Sequence, residues 1–126
     1  MRLQLMATLA LAFLLLGMGF GVKEYDAFHD VLHPLEHEAL PKGDFAKIRS
    51  DAKELTKRGE AIVKLGVPKG IKAEQVEEFK KHMSDFTAAL TKFSSAADSG
   101  TDADLKTSFS AVHDSFEEMA HMLPRT

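Results

Sequence analysis

This sequence predicts an all-α fold: an antiparallel up-down-up-down four-helix bundle preceded by a signal peptide. Three observations carry that reading. Apolar residues recur at alternating intervals of three and four over four separate stretches, which is the seam of a bundle helix. Short runs rich in Pro, Gly and Asp separate the stretches, as loops between antiparallel neighbours require. No stretch alternates with period two, so no sheet is expected.

The chain has 126 residues, enough for one domain. Residues 1–21 read as a secretory signal peptide. Met1-Arg2 is a short positive start, and Leu3 to Phe20 is apolar apart from Gln4, Thr8 and two glycines. Gly19 and Gly21 supply small residues at positions −3 and −1 of a cut before Val22. The run also approaches the ~20 residues that span a bilayer, so an uncleaved N-terminal membrane anchor is the alternative. Either reading puts the domain, residues 22–126, in the periplasm or otherwise outside the cytoplasm, and only the second brings it to a membrane.

The first helix is expected from Lys23 to Ala39, on the seam Tyr25, Phe28, Leu32, Leu35 and Ala39. Pro34 lies inside it, removes one backbone donor and crowds the Asp30 carbonyl, so a kink or break is expected there. Pro41-Lys42-Gly43 closes the segment. The second helix is expected from Phe45 to Leu65 with Asp44 as N-cap, on the seam Phe45, Ile48, Ala52, Leu55, Gly59 and Ile62. After the loop Gly66 to Gly70, the third runs from Ala73 to Ala97 on Val76, Phe79, Met83, Phe86, Leu90, Phe93 and Ala97. The fourth starts at Thr101 or Asp102, where Thr101 and Asp104 resemble a capping box, and follows Leu105, Phe109, Val112, Phe116, Met119 and Leu123 to Pro124.

Composition excludes several function classes. The chain contains no cysteine, so disulfides, thiolate metal sites, covalent c-type haem and a lipid anchor on cysteine are absent. The net charge is −3 with Lys and Arg scattered along the helices, which argues against nucleic acid. Neither a Gly-x-Ser-x-Gly elbow nor a phosphate-cradling glycine loop is present, and the chain is read as a non-enzyme.

The chemistry-bearing feature is a histidine stripe. Three of the six histidines, His29, His33 and His37, are spaced by four. Four residues advance a helix by about 6 Å and about 40°, so neighbouring imidazoles of the stripe can share a metal ion. Counting heptads from the seams makes His29 and His113 flank the core of the first and last helices, with His33 and Glu117 one turn away and slightly outward. Counting from the shared loop end brings His29 level with Val112 and His113. The set His29, His33, His113 and Glu117, with His37 as an extension, is an acceptable shell for Zn²⁺ or Cu²⁺. His82 and His121 are assigned structural or surface roles, and the methionines on the seams are core. The single Glu-x-x-His at Glu118 and His121 falls short of a di-iron set.

The last segment, Leu105-Lys-Thr-Ser-Phe-Ser-Ala-Val-His-Asp-Ser-Phe-Glu-Glu-Met-Ala-His-Met-Leu-Pro-Arg125, resembles the periplasmic four-helix cytochromes, the cytochrome c-prime family and its b-type relative. The resemblance covers the whole mature chain and implies an exported four-helix bundle. Where that family carries Cys-x-x-Cys-His, this chain reads Phe116-Glu117-Glu118-Met119-Ala120. His121 is one residue late, about 100° around the helix. His121 and Arg125 imitate the b-type pattern of a His shortly before a terminal Arg, but the mature first helix lacks the matching Met. The resemblance therefore implies fold and compartment and argues against haem. The expectation is an exported, non-enzymatic bundle whose partner is a divalent transition metal. A non-covalent haem protein and a structural or interaction module are the alternatives, and homodimerisation is left open.

Overall fold

The structure, a computed structural model, describes residues 19–124. The leader expected over residues 1–21 thus lies outside the described residues except for its last three. The described chain is helical without a strand, and four helices pack together around one core. They are α1 (Lys23–Pro34), α2 (Phe45–Leu65), α3 (Val76–Ser99) and α4 (Asp102–His121). A 3₁₀ turn, Ala73–Gln75, leads into α3. Among the described residues no helix is long and apolar enough to cross a membrane.

The seams become the core. Tyr25, Phe28, Ile48, Leu55, Phe79, Phe86, Phe93, Phe109 and Phe116 are fully buried. Phe45, Val76, Met83 and Ala97 are only partly covered, because they sit near helix starts or at the edge of the packed face. The rings interlock: Phe28 meets Phe86 edge-on at 5.4 Å between centroids and Phe116 at 4.9 Å, and Phe93 meets Phe109 at 5.8 Å. Such offset and edge-on pairs exploit the ring quadrupole as well as burial.

The helix starts follow the local chemistry. Asp44 accepts from the Lys47 amide at 3.1 Å and caps α2. Thr101 accepts from the Asp104 amide at 3.0 Å while the Asp104 carboxylate accepts from the Thr101 amide at 3.3 Å, a complete capping box on α4. Pro34 neither breaks nor ends the helical path. The chain passes from α1 into a π-helical turn, Leu35–Ala39, with the Leu40 amide donating to the Leu35 carbonyl at 2.8 Å. A wider turn follows the proline, whose nitrogen cannot donate to the Asp30 carbonyl.

Two arginines tie the helices together. Arg49 at the start of α2 donates to the carbonyls of Ala96 and Ala97, both at 3.1 Å, and of Gly100 at 3.0 Å. It also pairs with Asp102 at 2.9 Å. One guanidinium thereby satisfies the open carbonyl end of α3 and meets the first turn of α4. Arg58, further along α2, donates to the Ala27 carbonyl of α1 at 2.7 Å and to Glu54 at 2.7 Å.

Candidate metal centre

The histidine stripe lies along α1 and the π turn. His29 is half-buried, whereas His33 and His37 are exposed. The rings of His29 and His33 are 5.2 Å apart and inclined at 53°. Two imidazoles that share a tetrahedral ion at about 2.0–2.1 Å per nitrogen have centroids roughly 5 Å apart, so this pair has the spacing of a chelate. His33 and His37 are different. Their rings stack at 4.1 Å and 26°, and His37 Nε2 lies 3.0 Å from Glu36 Oε1. The π turn thus leaves the stripe continuous, but His37 lies against His33 rather than converging with it.

Across from His29 stands α4. Tyr25 Oη donates to Met119 Sδ at 3.8 Å, and Phe28 packs on Phe116. His29 itself lies nearly parallel to the Phe116 ring at 6.3 Å and 23°, and Phe20 approaches it edge-on at 5.3 Å. This apolar cover lowers the His29 pKa, and the charge of His33 adds to the effect; Glu117, Asp30 and Asp26 oppose it. His29 therefore stays neutral and keeps a lone pair where an ordinary histidine begins to protonate.

The sequence count puts His29 level with His113. In the structure the α4 residues that act on His29 are Phe116 and Glu117. His113 lies one turn back along α4, with Nδ1 3.2 Å from Asp114 Oδ1 and Nε2 3.8 Å from Glu117 Oε2. Glu117 links the two helices, because its field reaches His29 while its own oxygens face His113 and His121. His121 Nε2 is 3.8 Å from Glu117 Oε1. Both 3.8 Å contacts are ion-pair distances and too long for hydrogen bonds.

His121 takes part in a way that its heptad position does not suggest. The signal was present as spacing: His113, Glu117 and His121 repeat at four, as do His29, His33 and His37. His82, assigned a structural role facing the last helix, points its Nε2 at Glu78 Oε2 (3.5 Å) on its own helix and at Glu118 Oε1 (3.8 Å) of α4. Among the described residues no three His, Asp or Glu side chains already converge on one point as a metal shell. What the fold brings together is the His29–His33 pair on α1 and the His113–Glu117–His121 row on α4, and of that row it is the Glu117 charge that reaches His29. Comparison of the chain with family models, curated proteins and solved structures finds no match in any of the three.

Proposed function

We propose that the protein is an exported, non-enzymatic up-down-up-down bundle that binds a divalent transition metal, Zn²⁺ or Cu²⁺, between α1 and α4. His29 and His33 supply the chelating pair. Glu117 and His113 complete the shell from α4, and His37 extends it. The observation that carries this reading is the His29–His33 pair, spaced as two ligands of one ion, with the Glu117 carboxylate acting on it from the facing helix. A half-buried neutral imidazole next to a carboxylate is a ready ligand, because coordination needs the unprotonated ring. His33 is exposed and Glu117 is held only by long ion-pair contacts, so both are free to turn onto an ion by a change of rotamer. Metal buffering, sensing or delivery outside the cytoplasm fits such a module.

The up-down arrangement is supported by where distant residues meet. The start of α1 meets the end of α4 at Tyr25 and Met119, and the start of α2 meets the end of α3 at Arg49 and Ala96. Export is supported by the positive start and apolar run of residues 1–20. The cytochrome-like pattern of the last helix agrees with this plan but supplies no haem ligand set.

Equilibrium dialysis against Zn²⁺ and Cu²⁺ at neutral pH tests the function. The native chain is expected to retain one ion, and a His29→Ala/His33→Ala variant none. A Glu117→Gln variant is expected to bind more weakly. Affinity should collapse below about pH 6 as the imidazoles protonate. Equal and negligible binding by the native chain and the double variant refutes the reading.

A further inference from the structure

We infer that the leader is removed by cleavage between Gly19 and Phe20, so that the mature chain begins at Phe20 and its new ammonium group pairs with the Asp26 carboxylate. The inference rests on the reading of the chain as exported with a cleaved leader. It moves the cut two residues upstream of the Val22 boundary that spacing alone suggests.

Phe20 belongs to the folded domain. Its ring meets His29 edge-on at 5.3 Å and Phe116 edge-on at 5.6 Å. Its backbone nitrogen donates to Asp26 Oδ1 at 2.8 Å. Gly19 and Gly21 on either side are exposed, while Phe20 is half-buried. A cut before Val22 discards this anchor, leaves Asp26 without its donor and uncovers one edge of Phe116, which is otherwise fully buried. A cut before Phe20 keeps all three contacts. Gly17 and Gly19 fill positions −3 and −1 of that cut with small residues, as Gly19 and Gly21 do for the later one.

Cleavage at this bond also strengthens the anchor. In the hydrolysis, the bond between the Gly19 carbonyl carbon and the Phe20 nitrogen breaks. The oxygen of water goes to the Gly19 carbonyl, which becomes the carboxylate end of the leader. The two hydrogens of water end on the Phe20 nitrogen as it becomes an ammonium. The neutral amide facing Asp26 at 2.8 Å is thereby replaced by a cation facing a carboxylate, and charge-assisted bonds are roughly twice as strong as neutral ones. The enzyme implied is a leader peptidase that accepts small residues. The product keeps the Phe20 ring against His29 and Phe116.

The test is the intact mass of the full chain expressed with its own leader and recovered from the exported fraction. A product beginning at Phe20 is expected. A product beginning at Val22 overturns the proposal and leaves the export reading standing, whereas an uncut chain overturns both. Two variants supply an independent readout. Gly19→Ala keeps a small residue at −1 and leaves with the leader, so the exported product should keep its mass and melting temperature. Were residue 19 retained, its Cβ would run into the Asp26 carboxylate at a backbone φ of +41°, and the melting temperature would fall; that outcome overturns the proposal. Asp26→Asn should lower the melting temperature of the exported product by several degrees, and an unchanged value overturns the ion pair.

Discussion

Between α1 and α4 the space is filled by rings, whereas between α2 and α3 the chain closes on small residues and one arginine. On the first side Tyr25, Phe28, His29 and Phe20 all pack on or beside Phe116. On the second, Gly59 lies against Leu90, and Arg49 reaches from α2 to the carbonyl end of α3. The difference matters for the proposed metal site. Large rings hold two helices apart and leave polar side chains room along the rim, where the histidines and Glu117 stand. The α2–α3 side has a groove of its own, lined by hydroxyls, lysines and the carboxylates of Glu60 and Asp98, but no histidine stands in it.

The comparison is broken most severely at Phe116. Phe116→Ala removes the ring that five other rings pack on or beside, and truncation of a buried Phe costs about 3–5 kcal/mol. Urea denaturation followed by circular dichroism should show that loss, together with weaker metal retention because His29 loses its backing. Arg49→Ala tests the other side. It removes the side-chain donor from three carbonyls at the α3–α4 junction, of which Ala96 keeps the Gly100 amide, an expected loss of about 2 kcal/mol, and it should not change metal binding at the proposed site. Arg49→Lys should recover only part of the loss, since an ammonium lacks the planar fork.

Gly59→Ala probes the close approach itself. A Cβ there would lie 2.7 Å from Leu90 Cδ1 and 3.2 Å from Phe28 Cε1. Overpacking costs about 1–3 kcal/mol, and the gain in helix propensity returns about 1 kcal/mol. A net loss of about 1 kcal/mol is expected in the same denaturation experiment, and a stabilised variant would show that α2 and α3 have slack.

The smallest expected effect is the pH response of the ring-filled side. His29 titrates lower in the folded chain than in the unfolded one, chiefly through burial. As pH falls below the ordinary histidine value of about 6.5, the unfolded chain takes up this proton first. Stability is therefore fully present above that pH and is lost as pH drops toward the lowered folded value. A melting-temperature series across pH 5–8 should show this slope in metal-free protein, and His29→Leu should flatten it.

Much of the fold was legible without coordinates, and for a local reason. Seam residues such as Phe28, Phe86 and Phe116 recur at intervals set by the helix itself. The caps at Asp44 and Thr101 act within three residues of their own helix starts. The candidate site was legible only in part. The spacing of His29 and His33 on one helix marks the pair, and Glu117 emerges from the same counting. Counting sets His29 level with His113; in the structure the α4 ring beside His29 is Phe116, and the α4 charge that reaches it is that of Glu117.

The sequence by itself determined which residues turn inward, where three of the helices begin, and which side chains can ligate, because each depends on neighbours within one or two turns. Only the tertiary structure decided that Pro34 leads into a π turn that keeps His37 on the stripe. It alone decided that His121 shares Glu117 with His113, that Arg49 closes the end of another helix, and that Phe20 packs on His29. These depend on the relative height and rotation of helices distant in the chain. That geometry is set by the summed packing of the core rings, and no single stretch of sequence contains it.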